Sequence, residues 1–205
     1  MMRAVWYLGT VVVCYLLGCI NTAAILSRLK GFDIREKGSN NAGASNAMLT
    51  MGKGAGVLTA VVDIAKAFLP VFALIHWIPQ TKSLPCIAVL GGVMVVFGHM
   101  FPFWMQFRGG KGFASLLGMT LAHDWRLLII MLALLCMFLL TTKFISLATI
   151  SCATILPFYR LFSTYSVIEF ILLFALSVVI IRKHQPNIER IRKGKEYDAD
   201  DVLNK

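Results

Sequence analysis

The sequence predicts an all-α fold, a polytopic membrane helix bundle, and three observations carry that prediction. Hydrophobic residues make up 58% of the chain and charged residues only 15%, with a mean hydropathy of +0.76, whereas a soluble domain is about 25% charged. The apolar runs are continuous rather than alternating, which argues against strands. Polar residues collect at the ends of those runs in three short tracts: GSNNAGASNAM (Gly38 to Met48), FRGGKGFAS (Phe107 to Ser115) and RKHQPNIERIRKGKE (Arg182 to Glu196).

A helix rises about 1.5 Å per residue, so crossing a hydrocarbon core takes about 20 apolar residues. Five runs satisfy that clearly: Ala4 to Leu26, Gly54 to Trp77, Leu84 to Phe101, Trp125 to Leu140 and Tyr165 to Ile181. Gly112 to Ala122 is short and Phe144 to Phe158 marginal. Turns at His123-Asp124, Thr142-Lys143 and Phe162-Ser163 give seven transmembrane helices, five clear and two short, with five spans as the alternative. The expected unit is a single domain over residues 1–205, with a short basic tail from about residue 182.

Orientation follows from the distribution of Lys and Arg. With the first polar loop inside, the inner face collects Arg28, Lys30, Arg35, Lys37, Lys53, Arg108, Lys111, Lys143 and the basic tail, and the outer face keeps Arg3, Lys82, Arg126 and Arg160. This puts the N-terminus outside and, with seven spans, the C-terminus in the cytoplasm, so all three tracts share the cytoplasmic face. The net charge of +10 is therefore that of a basic inner face, and no nucleic-acid motif accompanies it, so no nucleic-acid partner is expected. The five cysteines lie in apolar runs without a CxxC pair, and the four histidines are scattered singly, so no metal site is expected. Leu16-Leu17-Gly18-Cys19 imitates a lipoprotein processing site, but the apolar run continues past it.

In the first tract, Gly and Asn tolerate positive φ, so successive N–H groups can point at one anion. Ser39, Asn40, Asn41, Ser45 and Asn46 add side-chain donors, and Ser45 or Asn46 is expected to cap a following helix. In the second, Gly109, Gly110 and Gly112 strip side chains from around Lys111, with Arg108 nearby. Neither Gly52-Lys53 nor Gly110-Lys111 is followed by Ser or Thr, so neither is a Walker A loop. In the third, Pro186 predicts a helix break near His184 and a restart around Asn187. Glu189 is available to mimic an HX4E dyad with His184 or to pair with Lys193. Asp63 and Lys66 fall three apart within a span, where charges are expected to pair. Ser146, beside the Thr142-Lys143 turn, can reach the Lys111 region.

These tracts resemble the three signature motifs of the bacterial glycerol-3-phosphate acyltransferase family PlsY. DIREKGSNNAGASN is similar to the first, GHMFPFWMQFRGGKGFAS to the second and KHQPNIERIRKG to the third, in order along the chain. The resemblance implies a seven-helix enzyme of the bacterial cell inner membrane, active on the cytoplasmic side. It would acylate the 1-hydroxyl of glycerol 3-phosphate to lysophosphatidic acid in phospholipid biosynthesis, without a cofactor. The donor would be an acyl phosphate, or alternatively a thioester of acyl carrier protein or coenzyme A, which would make acyl carrier protein a partner. A monomer embedded in bilayer lipid is expected. Lys111, Ser146, His184 and Asn187 would be catalytic, and Ser39, Asn41, Gly43, Ser45, Asn46, Arg108, Gly110 and Gly112 would bind substrate. Leu49 stands where many relatives have Arg, which removes a phosphate contact and leaves the donor open. The competing class is a transporter or channel for an anionic solute, but no internal repeat supports it.

Overall fold

The computed structural model describes residues 2–203; Met1, Asn204 and Lys205, the ends of the expected unit, lie outside the described residues. The chain forms eleven α-helices among them, with no strand: α1 (Met2–Gly18), α2 (Thr22–Leu29), α3 (Ala44–Met51), α4 (Lys53–His76), α5 (Ile87–Met100), α6 (Phe113–His123), α7 (Trp125–Thr141), α8 (Ile145–Thr164), α9 (Val167–Lys183), α10 (Gln185–Arg192) and α11 (Ala199–Leu203). Four helical stretches are long and apolar enough to cross a membrane: Met2–Leu29, Lys53–His76, Ile87–Met105 and Ile145–Thr164. The stretch expected to be marginal, at 144–158, is thus one of the longest, while the runs at 125–140 and 165–181 form 17-residue helices.

The first span is not the continuous helix expected from Ala4 to Leu26. It breaks between Gly18 and Thr22, because Asn21 offers its side chain to the backbone: Oδ1 accepts from Ala24 N–H at 2.8 Å and caps α2, while Nδ2 donates to the Ala42 carbonyl at 3.0 Å. The carbonyls freed by the break find partners elsewhere. Trp104 Nε1 donates to Cys19 O at 2.8 Å, and Lys66 Nζ to Ile20 O at 2.6 Å. In an apolar surrounding such groups cannot be left open.

Packing elsewhere relies on small residues. α1 lies against α5 where Gly18 faces the Val95 carbonyl and Gly98 the Tyr15 carbonyl, and a Cβ at either glycine would collide with that backbone. Gly118 of α6 meets the Ile64 carbonyl of α4 in the same way. Backbones approach this closely only without side chains between them. The core between these helices holds Val71, Val95, Leu116, Met119, Met131, Leu156 and Leu173. The outer surface is apolar as well, with Leu8, Leu69, Ile129, Leu140, Phe162 and Ile168 exposed, as suits a hydrocarbon solvent.

The buried ion pair read from the sequence is present. Asp63 and Lys66, 2% and 6% exposed, meet at 2.7 Å, and His99 of α5 stands beside both, its Nδ1 2.9 Å from Lys66 Nζ. Removing one charge strands the other. Lys66→Met is expected to cost about 3–5 kcal/mol, and the double variant Asp63→Leu/Lys66→Met to recover at least half of that, as read from thermal unfolding in detergent.

Candidate active site

The three polar tracts meet at one end of the bundle around a single pocket. Ser39, Asn41, Gly43 and Ser45 line it from the first tract, Lys111 and Gly112 from the second, His184 and Asn187 from the third, and Ser146 from the start of α8. Asn46, Arg108 and Gly110 were expected to bind and are not among the lining residues. Asn46 is fully buried and organises the loop instead: its Oδ1 accepts from Ser39 N–H at 2.8 Å, and its Nδ2 donates to the Ile34 and Lys37 carbonyls. Arg108 is exposed. Gly110 packs under the His99 ring, where a side chain would collide.

The helix starts determine what the pocket can hold. Gly43 is the N-cap of α3, so neither Ser45 nor Asn46 caps it as expected, and no side chain occupies the cap. Gly112 precedes α6 with φ +93°, a backbone region that favours glycine, again without a side-chain cap. Phe144 precedes α8 with no side-chain cap either. The first residues of all three helices line the pocket: Ala44 and Ser45, Phe113 and Ala114, Ile145 and Ser146. Unpaired N–H groups and the positive ends of three helix dipoles therefore converge on one space, an arrangement that attracts anions.

Two side chains fix the chemistry at its rim. Lys111 Nζ donates to Asn187 Oδ1 at 2.6 Å, while Asn187 Nδ2 donates to Glu196, which also meets Arg190 Nε at 2.6 Å. Burial pushes the Lys111 ammonium down to about 8, helped by Arg190 and Lys183 and opposed by Glu196. At neutral pH it is therefore still mostly charged, and an arriving anion would raise it back toward the ordinary lysine range. His184 sits at the junction of α9 and α10, and its Nδ1 lies 2.8 Å from the Ile180 carbonyl. That carbonyl can only accept, so Nδ1 carries the proton and Nε2 the lone pair. Burial pushes the His184 imidazole down to about 4, against the hydrogen bond to Ile180 and with the Lys111 charge adding to the depression. The Ser146 hydroxyl is buried without a hydrogen-bond partner among the described residues.

The break at His184 falls where Pro186 predicts it, but the chain resumes helix at Gln185 rather than around Asn187. Proline is accommodated in the first turn, where its missing N–H is not needed. Glu189 is exposed and lines no part of the pocket, so no HX4E dyad forms; among the described residues it makes no ion pair with Lys193 either, and Glu196 pairs with Arg190. Residues without a sequence-derived site role also line the pocket: Asp63, His99, Thr149, Glu196, Tyr197 and Val202. Of the last three, Glu196 closes the third tract, and the only sequence signal for Tyr197 and Val202 was that they follow it. The Ala199 N–H donates to the Lys143 carbonyl at 2.9 Å, and Lys143 pairs with Asp200, which together draw the tail across the pocket.

The chain is similar to known proteins in both sequence and fold. The family model described as glycerol-3-phosphate acyltransferase matches residues 8–194. A glycerol-3-phosphate acyltransferase of Prochlorococcus marinus (strain MIT 9312) is 34% identical over 187 residues, covering 90% of this chain and 93% of that protein. Glycerol-3-phosphate acyltransferase 1 of Oceanobacillus iheyensis is 36% identical over 190 residues, covering 89% of each. Among solved structures, the glycerol 3-phosphate form of PlsY, an integral membrane glycerol 3-phosphate acyltransferase, superposes with a TM-score of 0.84 at 30% identity, covering 94% of each chain. Its lysophosphatidic acid form gives 0.82 at 29% identity, covering 97% of this chain and 99% of that one. Sequence and fold agree over nearly the whole length, and the chain belongs to the glycerol-3-phosphate acyltransferase family.

Proposed function

We propose that the protein transfers a fatty acyl group from an activated donor to the 1-hydroxyl of glycerol 3-phosphate, giving lysophosphatidic acid. The observation that carries this reading is the convergence of three uncapped helix starts and Lys111 on one pocket. Such a site suits a reaction whose substrates bring phosphate and whose transition state gathers negative charge on the acyl oxygen.

With an acyl phosphate as donor, the hydroxyl oxygen attacks the acyl carbon, the acyl carbon–oxygen bond to phosphate breaks, and inorganic phosphate leaves with the hydroxyl proton. His184 is a poor proton acceptor in the free protein because its imidazole is held at about 4, and the departing phosphate is the stronger base. In this mechanism Lys111 and the α3 and α6 starts hold phosphate, Ser146 donates its unpartnered hydroxyl, and the Nε2 lone pair of His184 accepts from the substrate hydroxyl that does not attack. Ser39, Asn41, Gly43, Ser45 and Gly112 shape the anion site, and Asn187 positions Lys111. Leu49 lines the pocket where a further cation would strengthen phosphate binding, so a thioester donor is the second reading.

Seven crossings are supported by the alternation of pocket-lining segments with a second group containing Thr81, Cys86, His123, Arg160 and Glu169, which accounts for six passages from α4 to α9, and by α1, whose Tyr7 hydroxyl donates to the Pro85 carbonyl beside that second group. This reading takes the chain as one domain, monomeric in the bacterial inner membrane, with the N-terminus outside and the pocket on the cytoplasmic side, where Lys and Arg are concentrated.

Purified protein given glycerol 3-phosphate and, in separate reactions, acyl phosphate, acyl carrier protein thioester or acyl-CoA is expected to form lysophosphatidic acid with at least one donor. Absence of product with all three would overturn the assignment. Lys111→Ala is expected to lower kcat/KM by about 10² to 10³ while leaving the folded yield intact, and near-normal turnover would remove Lys111 from the site. The pH dependence has a definite sign. Lys111 in the free protein is charged below about 8 and neutral above it, and a phosphate dianion binds the charged form. KM for glycerol 3-phosphate should therefore be nearly flat from pH 7 to 8 and rise above that by up to about tenfold per unit; a KM that falls above pH 8 contradicts this.

A further inference from the structure

His99 has been treated so far as part of the buried ion-pair network, yet its ring also lines the pocket. The network fixes where its proton sits. Lys66 Nζ lies 2.6 Å from the Ile20 carbonyl, 2.7 Å from Asp63 Oδ1 and 2.9 Å from His99 Nδ1. An ammonium has three hydrogens and no lone pair, so three neighbours at these distances must all be acceptors. Nδ1 of His99 is therefore bare and Nε2 carries the hydrogen. The opposite tautomer would aim Nδ1–H at Asp63 Oδ1 over 3.3 Å and set it against the Lys66 ammonium at the shorter distance.

The Nε2 edge of the ring faces Gly110 in the glycine-rich loop, close enough that any side chain there would collide with it. It makes no hydrogen bond among the described residues, where the ring's hydrogen bond runs through Nδ1. Because the ring lines the pocket, an Nε2–H without a protein partner is available to an acceptor that arrives there. His184 offers a lone pair at Nε2 to the same pocket, so its two histidines have complementary roles.

We propose that His99 contacts substrate directly, its Nε2–H donating to a phosphate oxygen, and that Lys66 is the positioning residue that holds His99 in the donating tautomer. This rests on the reading of the pocket as a phosphate site. The phosphate comes from glycerol 3-phosphate or from the acyl donor, and the two are separated by experiment.

The test uses the full-length protein in detergent, labelled with 15N-histidine. There are four histidines, so His76→Gln, His123→Gln and His184→Gln variants assign the resonances by elimination. Without ligand, His99 is expected to show a protonated Nε2 and a bare Nδ1. Glycerol 3-phosphate and an acyl phosphate are then added separately, and the ligand that shifts the His99 Nε2 resonance is the one it contacts. A protonated Nδ1 overturns the proposal before any ligand is added. A shift at His184 with none at His99 from either ligand overturns it and leaves the acyltransferase reading standing, whereas no shift at either histidine overturns both. Kinetics supply a second readout. His99→Gln, whose amide can accept from Lys66 and still donate, is expected to keep KM for the responding substrate within about threefold, whereas His99→Leu raises it about tenfold or more. Equal KM values in the two variants count against the contact.

Discussion

The Ile20 carbonyl, left open where the first span breaks, is held by the ammonium of Lys66 across 2.6 Å, and much of the protein is arranged around that contact. An apolar medium offers no water to a broken helix, so the break exists only because another part of the chain can answer it. Lys66 in turn survives burial because Asp63 lies one turn before it and the His99 ring beside it. Through these partners one side chain links the break after α1, the middle of α4 and the end of α5. The Gly110 backbone then rests on the far edge of His99, and the next residue is Lys111. The position of the one cation that lines the pocket among the described residues thus traces back to a carbonyl in the first span.

The pocket's electrostatics follow from where chains begin rather than from a count of charged residues. Both acids in its wall are matched by cations that do not line it, Asp63 by Lys66 and Glu196 by Arg190. What remains facing inward is Lys111, the uncapped starts of α3, α6 and α8, and hydroxyl and amide groups. Fixed dipoles of this kind need no reorganisation when charge develops in the transition state. They also do not exchange protons, so the field they set up does not change with pH.

The helical class and the three tracts that build the site were legible because both are properties of local sequence: apolar run length, and Gly, Asn and Pro where the backbone must turn. The Asp63–Lys66 pair was legible for the same reason, being three residues apart. His99 was not, since its partners are 33 and 36 positions away and its own stretch reads as an ordinary apolar span. The break at Asn21 was hidden because a single Asn in an apolar run is a weak signal, and its effect depends on the Ala42 carbonyl supplied by a later loop. Asn46 was misplaced from pocket to scaffold because composition cannot say which of several amides turns inward. Glu196 and Tyr197 enter only through the tail's return across the pocket, which requires the tertiary fold.

The spacing of Asp63 and Lys66 also bears on how the chain enters the bilayer. A lone lysine in the middle of α4 would make that helix costly to release into lipid, but an acid one turn away lets the helix travel as a neutral dipole with its own counter-ion. The pair is complete within the helix, whereas the contacts to Ile20 and His99 need α1 and α5 as neighbours. Biogenesis can therefore proceed in two stages, with α4 admitted on local neutrality and its ammonium committed to the tertiary network only once the flanking helices have docked.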